Sequence, residues 1–338
     1  MVRAVHPVSY IEALHRARRL PDLPRGRLLV AARWLMTVLA LWFILRSIDF
    51  GAVLDLISRA ALPGLGLAGL VVAVQFVVLV WRWQLVIRML GGGAVGLGPL
   101  ALLLGHSFLI GQVLPSSVGG DVARTLMLAR RTGAFAAARS VACDRLLGFA
   151  GLAVLVVPTL PIIVGRMGGL TPFPTLTIAA LGTMAAVALV LASQSIIHAL
   201  PSLGRPLATV AGDLRLTLSS GKMSFVVVAL GVGSNLLAVL LIYILGSAIG
   251  ADLRALDCLV FVPPALLASS LPISLGGWGV REGALLAAFS LVQADPAQVA
   301  ATSVMVGLTM PLTGAVIAGA SLFAGWRNVL PKGSHDGG

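Results

Sequence analysis

Apolar positions along this chain come in long unbroken runs, and polar residues gather in the short stretches between them. A run near 20 residues crosses a bilayer core of about 30 Å as a helix, a length that a strand or a soluble helix has no use for. The pattern predicts spans at about 28 to 46, 62 to 81, 141 to 165, 174 to 193, 223 to 249 and 297 to 325. Two further apolar runs, 100 to 113 and 258 to 271, hold about 14 residues each. Too short to cross, they read as re-entrant helical hairpins that enter and leave by one face. The expected fold is all-α and polytopic, with about six to eight transmembrane helices, the larger number applying if the hairpin legs cross completely.

Each short run leads into nearly the same residues. "LPSSVGGDVAR" begins at Leu114 and "LPISLGGWGVR" begins 157 positions later at Leu271. The arginines on either side of it place the first hairpin on the cytoplasmic face, and the odd number of spans between the motifs puts the second on the opposite face, an inverted repeat of the kind that brings broken helices together near the midplane of transporters. Pro115 and Pro272 end the apolar helices, because proline lacks a backbone donor and disfavours helix at the residue before it. Gly119, Gly120, Gly276 and Gly277 leave backbone amides uncovered by side chains.

Composition narrows the class further: 58% of the 338 residues are hydrophobic and 11% charged, which leaves no room for a soluble catalytic domain. The 24 Lys and Arg against 12 Asp and Glu lie between the apolar runs, so they orient the chain across the membrane and do not indicate nucleic acid. Three segments follow: a basic cytoplasmic stretch 1–27, a polytopic domain 28–325 and a short cytoplasmic tail 326–338, in a multi-pass protein of the cell membrane with both termini inside. Arg82 and Arg88 read as cytoplasmic flanks of the second span, and Trp34, Trp42, Trp81 and Trp83 as interfacial indoles. Cys143 and Cys258 are isolated, and no histidine spacing suggests a metal.

The candidate chemistry is anion binding. Amides freed at a helix start, with an arginine one turn on, suit a phosphate, and arginine offers it two parallel donors. Arg124 and Arg281 are the anchors, Ser117 and Ser274 caps or ligand-facing hydroxyls, and Asp121, Asp144 and Glu282 are expected to balance Arg124, Arg145 and Arg281 in a polar cleft, since intramembrane charges are usually paired around a pathway. Gln75, Gln112 and Asn235 sit in apolar helices, where bonding between helices is the commoner role. Pro-x-Ser-x-Gly echoes a nucleophile elbow without its first glycine or its partners, so no catalytic residue is assigned. "GGGAVGLG" at 91 to 98 lacks the Lys-Ser or Lys-Thr of a phosphate-binding loop, so no nucleotide or other cofactor is assigned.

"VLPSSVGGDVARTLML", "CDRLLGFAGL" and "LPISLGGWGVREGAL" together resemble the transmembrane domain of lysylphosphatidylglycerol synthases, a flippase-like family. The resemblance implies lipid translocation more than synthesis, because aminoacyl transfer in the two-domain members belongs to a soluble carboxy-terminal domain. It implies a lipid with an anionic headgroup, such as an aminoacylated phospholipid, a polyprenyl-phosphate-linked sugar or a hopanoid-related lipid, and it carries over the glycines, prolines and charged residues above. Trp278 stands where Asp121 stands in the first motif. Two other readings remain: an accessory protein that binds a lipid for a biosynthetic enzyme without moving it, and an intramembrane transferase, which lacks an Asp-rich metal pattern.

Overall fold

The computed structural model describes residues 50–113, 119–165, 204–270 and 278–323. Among these there are ten α-helices, one 3-10 turn (Ser290–Val292) and no strand. The helices are α1 (Phe50–Ser58), α2 (Leu62–Met89), α3 (Leu97–Val113), α4 (Gly119–Thr132), α5 (Ala134–Gly165), α6 (Gly204–Ser219), α7 (Lys222–Ala248), α8 (Ala255–Ser269), α9 (Val280–Phe289) and α10 (Pro296–Phe323). The chain is an all-α polytopic membrane protein. Four helices, α2, α5, α7 and α10, are long and apolar enough to cross a bilayer over Leu62–Met89, Ala134–Ile163, Lys222–Ala248 and Pro296–Ser321. Apolar side chains face outward on them, Val77 at 63%, Phe225 at 76% and Val316 at 71% exposure, an arrangement that lipid tolerates and water does not. The expected spans at 28 to 46 and 174 to 193, and the terminal segments 1–27 and 326–338, lie outside the described residues.

The ten helices form two sets of five in the same order. Shifting the first set by the 157 positions that separate the two motifs lays each of α1 to α5 over α6 to α10. Their packing is reciprocal as well. The short helix α1 rests on α10 and its counterpart α6 on α5, while hairpin leg α3 packs on α10 and its counterpart α8 on α5. Helices α2 and α7 meet at the centre and run antiparallel, with Gln75 Nε2 donating to Ser234 O at 2.9 Å and Gly64 beside Ala248. The two halves are therefore inverted with respect to each other.

That inversion sorts the hairpins. Legs α3 and α4 begin and end where α2 ends and α7 begins, while α8 and α9 begin and end where α7 ends and α2 begins. At 17 and 15 residues, α3 and α8 reach about 26 and 22 Å, short of a bilayer core. The first of these ends of the bundle carries Arg88, Arg130, Arg131, Arg139, Arg215 and Lys222 with Asp213, and the second carries Asp55, Asp252, Asp257 and Asp295 with Arg59 and Arg254. The positive charge predicted for one side of the protein thus collects at one end of the bundle.

Between the central helices the backbones approach closely at small residues. A Cβ on Gly151 would fall 2.6 Å from the carbonyl carbon of Gly231, so α5 and α7 meet at this distance only because both positions are glycine. Asn235 Nδ2 donates to Gly148 O at 3.2 Å nearby. Gln75 and Asn235 accordingly bond helix to helix, as their placement in apolar runs suggests; the Gln112 side chain lies outside the described residues. Helix α5 starts at Ala134, seven residues before the predicted span, which puts Asp144 and Arg145 well inside it.

Candidate functional site

An open cavity of about 340 Å³ lies where the hairpins converge. Gly111 and Gly120 from the tip of the first hairpin and Ser269 and Ser270 from the tip of the second line it, together with Arg82, Asp121, Arg124, Asp144 and Arg145. The two legs of the first hairpin pack closely because glycines face each other: a Cβ on Gly120 would stand 2.9 Å from Ser107 O, and one on Gly111 3.3 Å from the Gly120 backbone. Helix α4 thus starts with bare backbone at the cavity wall, and Asp121 occupies its first turn, where a carboxylate suits the helix dipole.

The five charged side chains form one chain of alternating sign. Arg82 Nε donates to Asp144 Oδ1 at 2.8 Å, and Arg124 Nη1 to Asp144 Oδ2 at 3.0 Å. Arg124 Nε also donates to Asp121 Oδ1 at 3.0 Å, and Arg145 Nη1 completes the chain on Asp121 Oδ2. Side-chain exposure runs 7, 4, 8, 18 and 28% from Arg82 through Asp144, Arg124 and Asp121 to Arg145, so one end is sealed in the bundle and the other is wet. Three arginines against two aspartates leave one positive charge in surplus, which favours an anion at the wet end. Arg124 also stacks on the Trp83 ring at 5.0 Å, and Arg145 on Phe149 at 5.4 Å.

Two expectations need correction. Arg82 is not a cytoplasmic flank: α2 continues to Met89, and Arg82 is buried as the anchor of the chain. The signal was its position six residues before Arg88, about 9 Å deeper along the helix. Trp83 is not interfacial either; it is fully buried, with Nε1 donating to Ser140 Oγ at 3.4 Å, whereas Trp81 is exposed. Sequence reasoning also passed over the pairing of Arg139 with Asp213, whose Nε to Oδ2 distance of 2.6 Å ties α5 to α6.

The second motif is built differently. Arg281 Nε lies 3.1 Å from Glu282 Oε1 and 3.3 Å from Ser303 Oγ, and its guanidinium stacks on Trp278 at 4.8 Å. Glu282 Oε2 accepts from Gly279 N at 2.6 Å and so caps α9 from its third position. Gly279 itself has φ 82°, a conformation glycine adopts without strain. None of these residues lines the cavity. The structure brings Gly119, Gly120, Asp121, Arg124, Asp144 and Arg145 together and sets Arg281 and Glu282 apart, between α9 and α10. Pro115, Ser117, Pro272, Ser274, Gly276 and Gly277 lie outside the described residues.

The sequence model of a family described as Lysylphosphatidylglycerol synthase TM region matches residues 27–318, most of the chain. No individual curated protein matches it.

Proposed function

From the premise that the chain belongs to the lysylphosphatidylglycerol synthase transmembrane family, and so has a membrane role connected with lipids, we propose that it is a translocase for a phosphate-bearing lipid. The headgroup enters the cavity beside Asp121 and Arg145 while the acyl or prenyl tail stays in the bilayer. The observation that carries this reading is the alternating charge chain with one surplus positive charge, graded from a sealed end to a wet end, inside a bundle of mainly apolar helices. A cavity of about 340 Å³ is at the low end of ligand sites, of the order of a headgroup and not of a whole lipid.

The mechanism follows from competition for donors. An incoming phosphate takes hydrogen bonds from Arg145, the most exposed member, and from the donors Arg124 now gives to Asp121. Asp144 keeps Arg82 and Arg124 in place throughout, so the displaced charge stays within the site. Gly120 lets the phosphate come close to the start of α4, where backbone amides point at it. Water-filled surroundings are replaced by fixed donors, which is the cost a lone headgroup cannot meet in hydrocarbon. No bond is made or broken in the lipid, and the chain acts as a carrier. On this reading the basic end of the bundle faces the cytoplasm, as the positive-inside rule requires, and the membrane is the cell membrane.

The test reconstitutes the full chain in liposomes and follows the accessibility of labelled phosphatidylglycerol, aminoacyl-phosphatidylglycerol and polyprenyl phosphate from outside. Arg124→Gln and Arg145→Gln should each lower the rate of exchange about tenfold or more, the loss of one charge-assisted hydrogen bond of about 1.5–3 kcal/mol. Lipid that binds but does not exchange in the unaltered protein would sink the translocase and leave an accessory protein that binds lipid for a lipid-biosynthetic enzyme.

A further inference from the structure

The cavity continues beyond its charged walls. Leu79, Phe108 and Met310 line it, and the same three residues line a narrow slot between α2, α3 and α10. From there the slot follows α2 past Phe76 and Gln75 to Val72. Val72 stands ten positions before Arg82, about 15 Å along the helix, near the middle of α2. Phe76 and Phe108 meet edge to face with ring centroids 5.9 Å apart and join the α2 wall to the α3 wall. Met310 is 37% exposed and belongs to a spanning helix, so the slot reaches the bilayer and not water.

Gln75 is the polar exception in this slot. It is 8% exposed, and its Nε2 donates one proton to Ser234 O at 2.9 Å. A primary amide has a second N–H and a carbonyl, and neither has a partner among the described residues. The hydroxyls of Thr309 and Thr313 are already spent on carbonyls of their own helix, Val306 O and Thr309 O, both at 2.7 Å. A half-used amide on an apolar wall costs stability unless a ligand meets it.

Resting on the translocase reading, we infer that the slot is a chain-binding site: the lipid enters the cavity sideways between α2 and α10, and one fatty-acyl chain lies in the slot with its ester carbonyl accepting from Gln75. At about 10 Å³ the slot is one small group wide, which excludes a headgroup and admits a single hydrocarbon chain. Its course agrees, because a lipid in the leaflet at the basic end points its chains from that end toward the midplane. The amide decides the occupant. An acyl chain carries an ester carbonyl a few bonds from the phosphate, whereas a polyprenyl phosphate brings Gln75 no acceptor. The rest of the chain stays in the bilayer.

Phosphatidylglycerol with a photoactivatable diazirine on one acyl chain tests this in liposomes that hold the full chain, the cross-linked residues being located by mass spectrometry. Cross-links should fall on Phe76, Phe108 and Met310 and drop about tenfold in Arg124→Gln, which loses a charge-assisted anchor for the headgroup. Those on the outward-facing Phe225 and Val316 should keep their yield. Arg145→Gln gives the same readout should the first variant fold poorly. Thr309→Leu combined with Thr313→Leu fills the slot and should lower its cross-links as well. Gln75→Met should abolish the preference for this probe over a polyprenyl phosphate with the same diazirine, whereas a merely structural loss of the Ser234 bond would lower both alike. Slot yields no higher than those on Phe225 and Val316, in vesicles that exchange lipid, would remove the chain site and leave the translocase. Slot cross-links without exchange would keep the chain site and remove the translocase. An equal yield from the polyprenyl probe in the native chain would overturn the acyl assignment.

Discussion

Asp144→Asn attacks the charge chain at its most buried link. Asp144 accepts from Arg82 at one oxygen and from Arg124 at the other, and the three side chains are each no more than 8% exposed. Asparagine keeps the shape but loses the charge, and its amide group turns a donor toward one of the two guanidiniums. Arg124 retains Asp121, whereas Arg82 has no other acidic partner among the described residues. The orphan is therefore Arg82. Removing one partner of a buried pair costs about 3–5 kcal/mol. With an unfolding entropy of about 2.1 cal/mol/K per residue, 338 residues lose about 4–7 °C of midpoint temperature. The native thiols supply the assay, since Cys143 and Cys258 are buried and react with a thiol-sensitive dye only when the bundle opens. Adding Arg82→Gln should restore most of the loss, because it removes the uncompensated charge, and adding Arg124→Gln should not. An unchanged midpoint in Asp144→Asn, or rescue by Arg124→Gln instead, would refute the view that Asp144 holds Arg82 in the bundle.

The same dye assay ranks the helix contacts. Gly151→Ala forces a methyl to within 2.6 Å of the α7 backbone and should cost about 1–3 kcal/mol, Gly231→Ala somewhat less, and Gly233→Ala, which meets nothing within 4 Å, no stability. Asp213→Asn breaks the pair with Arg139, whose side chain is 27% exposed, and should cost about 1 kcal/mol, well below Asp144→Asn. Gly307→Ala meets the ends of the Arg281 and Trp278 side chains and no backbone, so it should shift Arg281 from Trp278 and cost less than Gly151→Ala, and a larger loss than that of Gly151→Ala would contradict this ranking.

What the sequence made legible was whatever length and repetition encode. Runs of apolar residues locate α2, α5, α7 and α10 because a bilayer fixes how long a crossing must be, and the shift of 157 positions between "LPSSVGG" and "LPISLGG" holds for all five pairs of helices. Helix ends were harder. A charge near the end of an apolar run looks interfacial, so Arg82 reads as a flank, and only the contact with Asp144, 62 positions away, shows that it lies inside the bundle. Trp83 failed for the same reason: an indole at a membrane surface and an indole under a guanidinium leave the same mark in a sequence. The pairing of Asp121 with Arg145 and of Asp144 with Arg124 depends on α4 folding back along α5, which no local pattern records.

The repeated motif differs between its copies, with Trp278 where Asp121 stands in the first, so the two halves need not bind the same part of a ligand. In the first half Asp121 and Asp144 pair the arginines internally. In the second half the counterparts are Trp278 and Ala301, and the packing is more apolar, with Phe261 and Phe289 at 6.0 Å and Glu282 engaged as both cap and counter-ion. Introducing Ala301→Asp would give the second half a carboxylate without the arginine that Arg82 provides in the first, since Val239 stands there. A buried unpaired carboxylate should destabilise the second half by several kcal/mol, and pairing it with Val239→Arg should recover part of that loss. Equal midpoints for the single and double variants, by the dye assay, would show that the two halves are not related position by position.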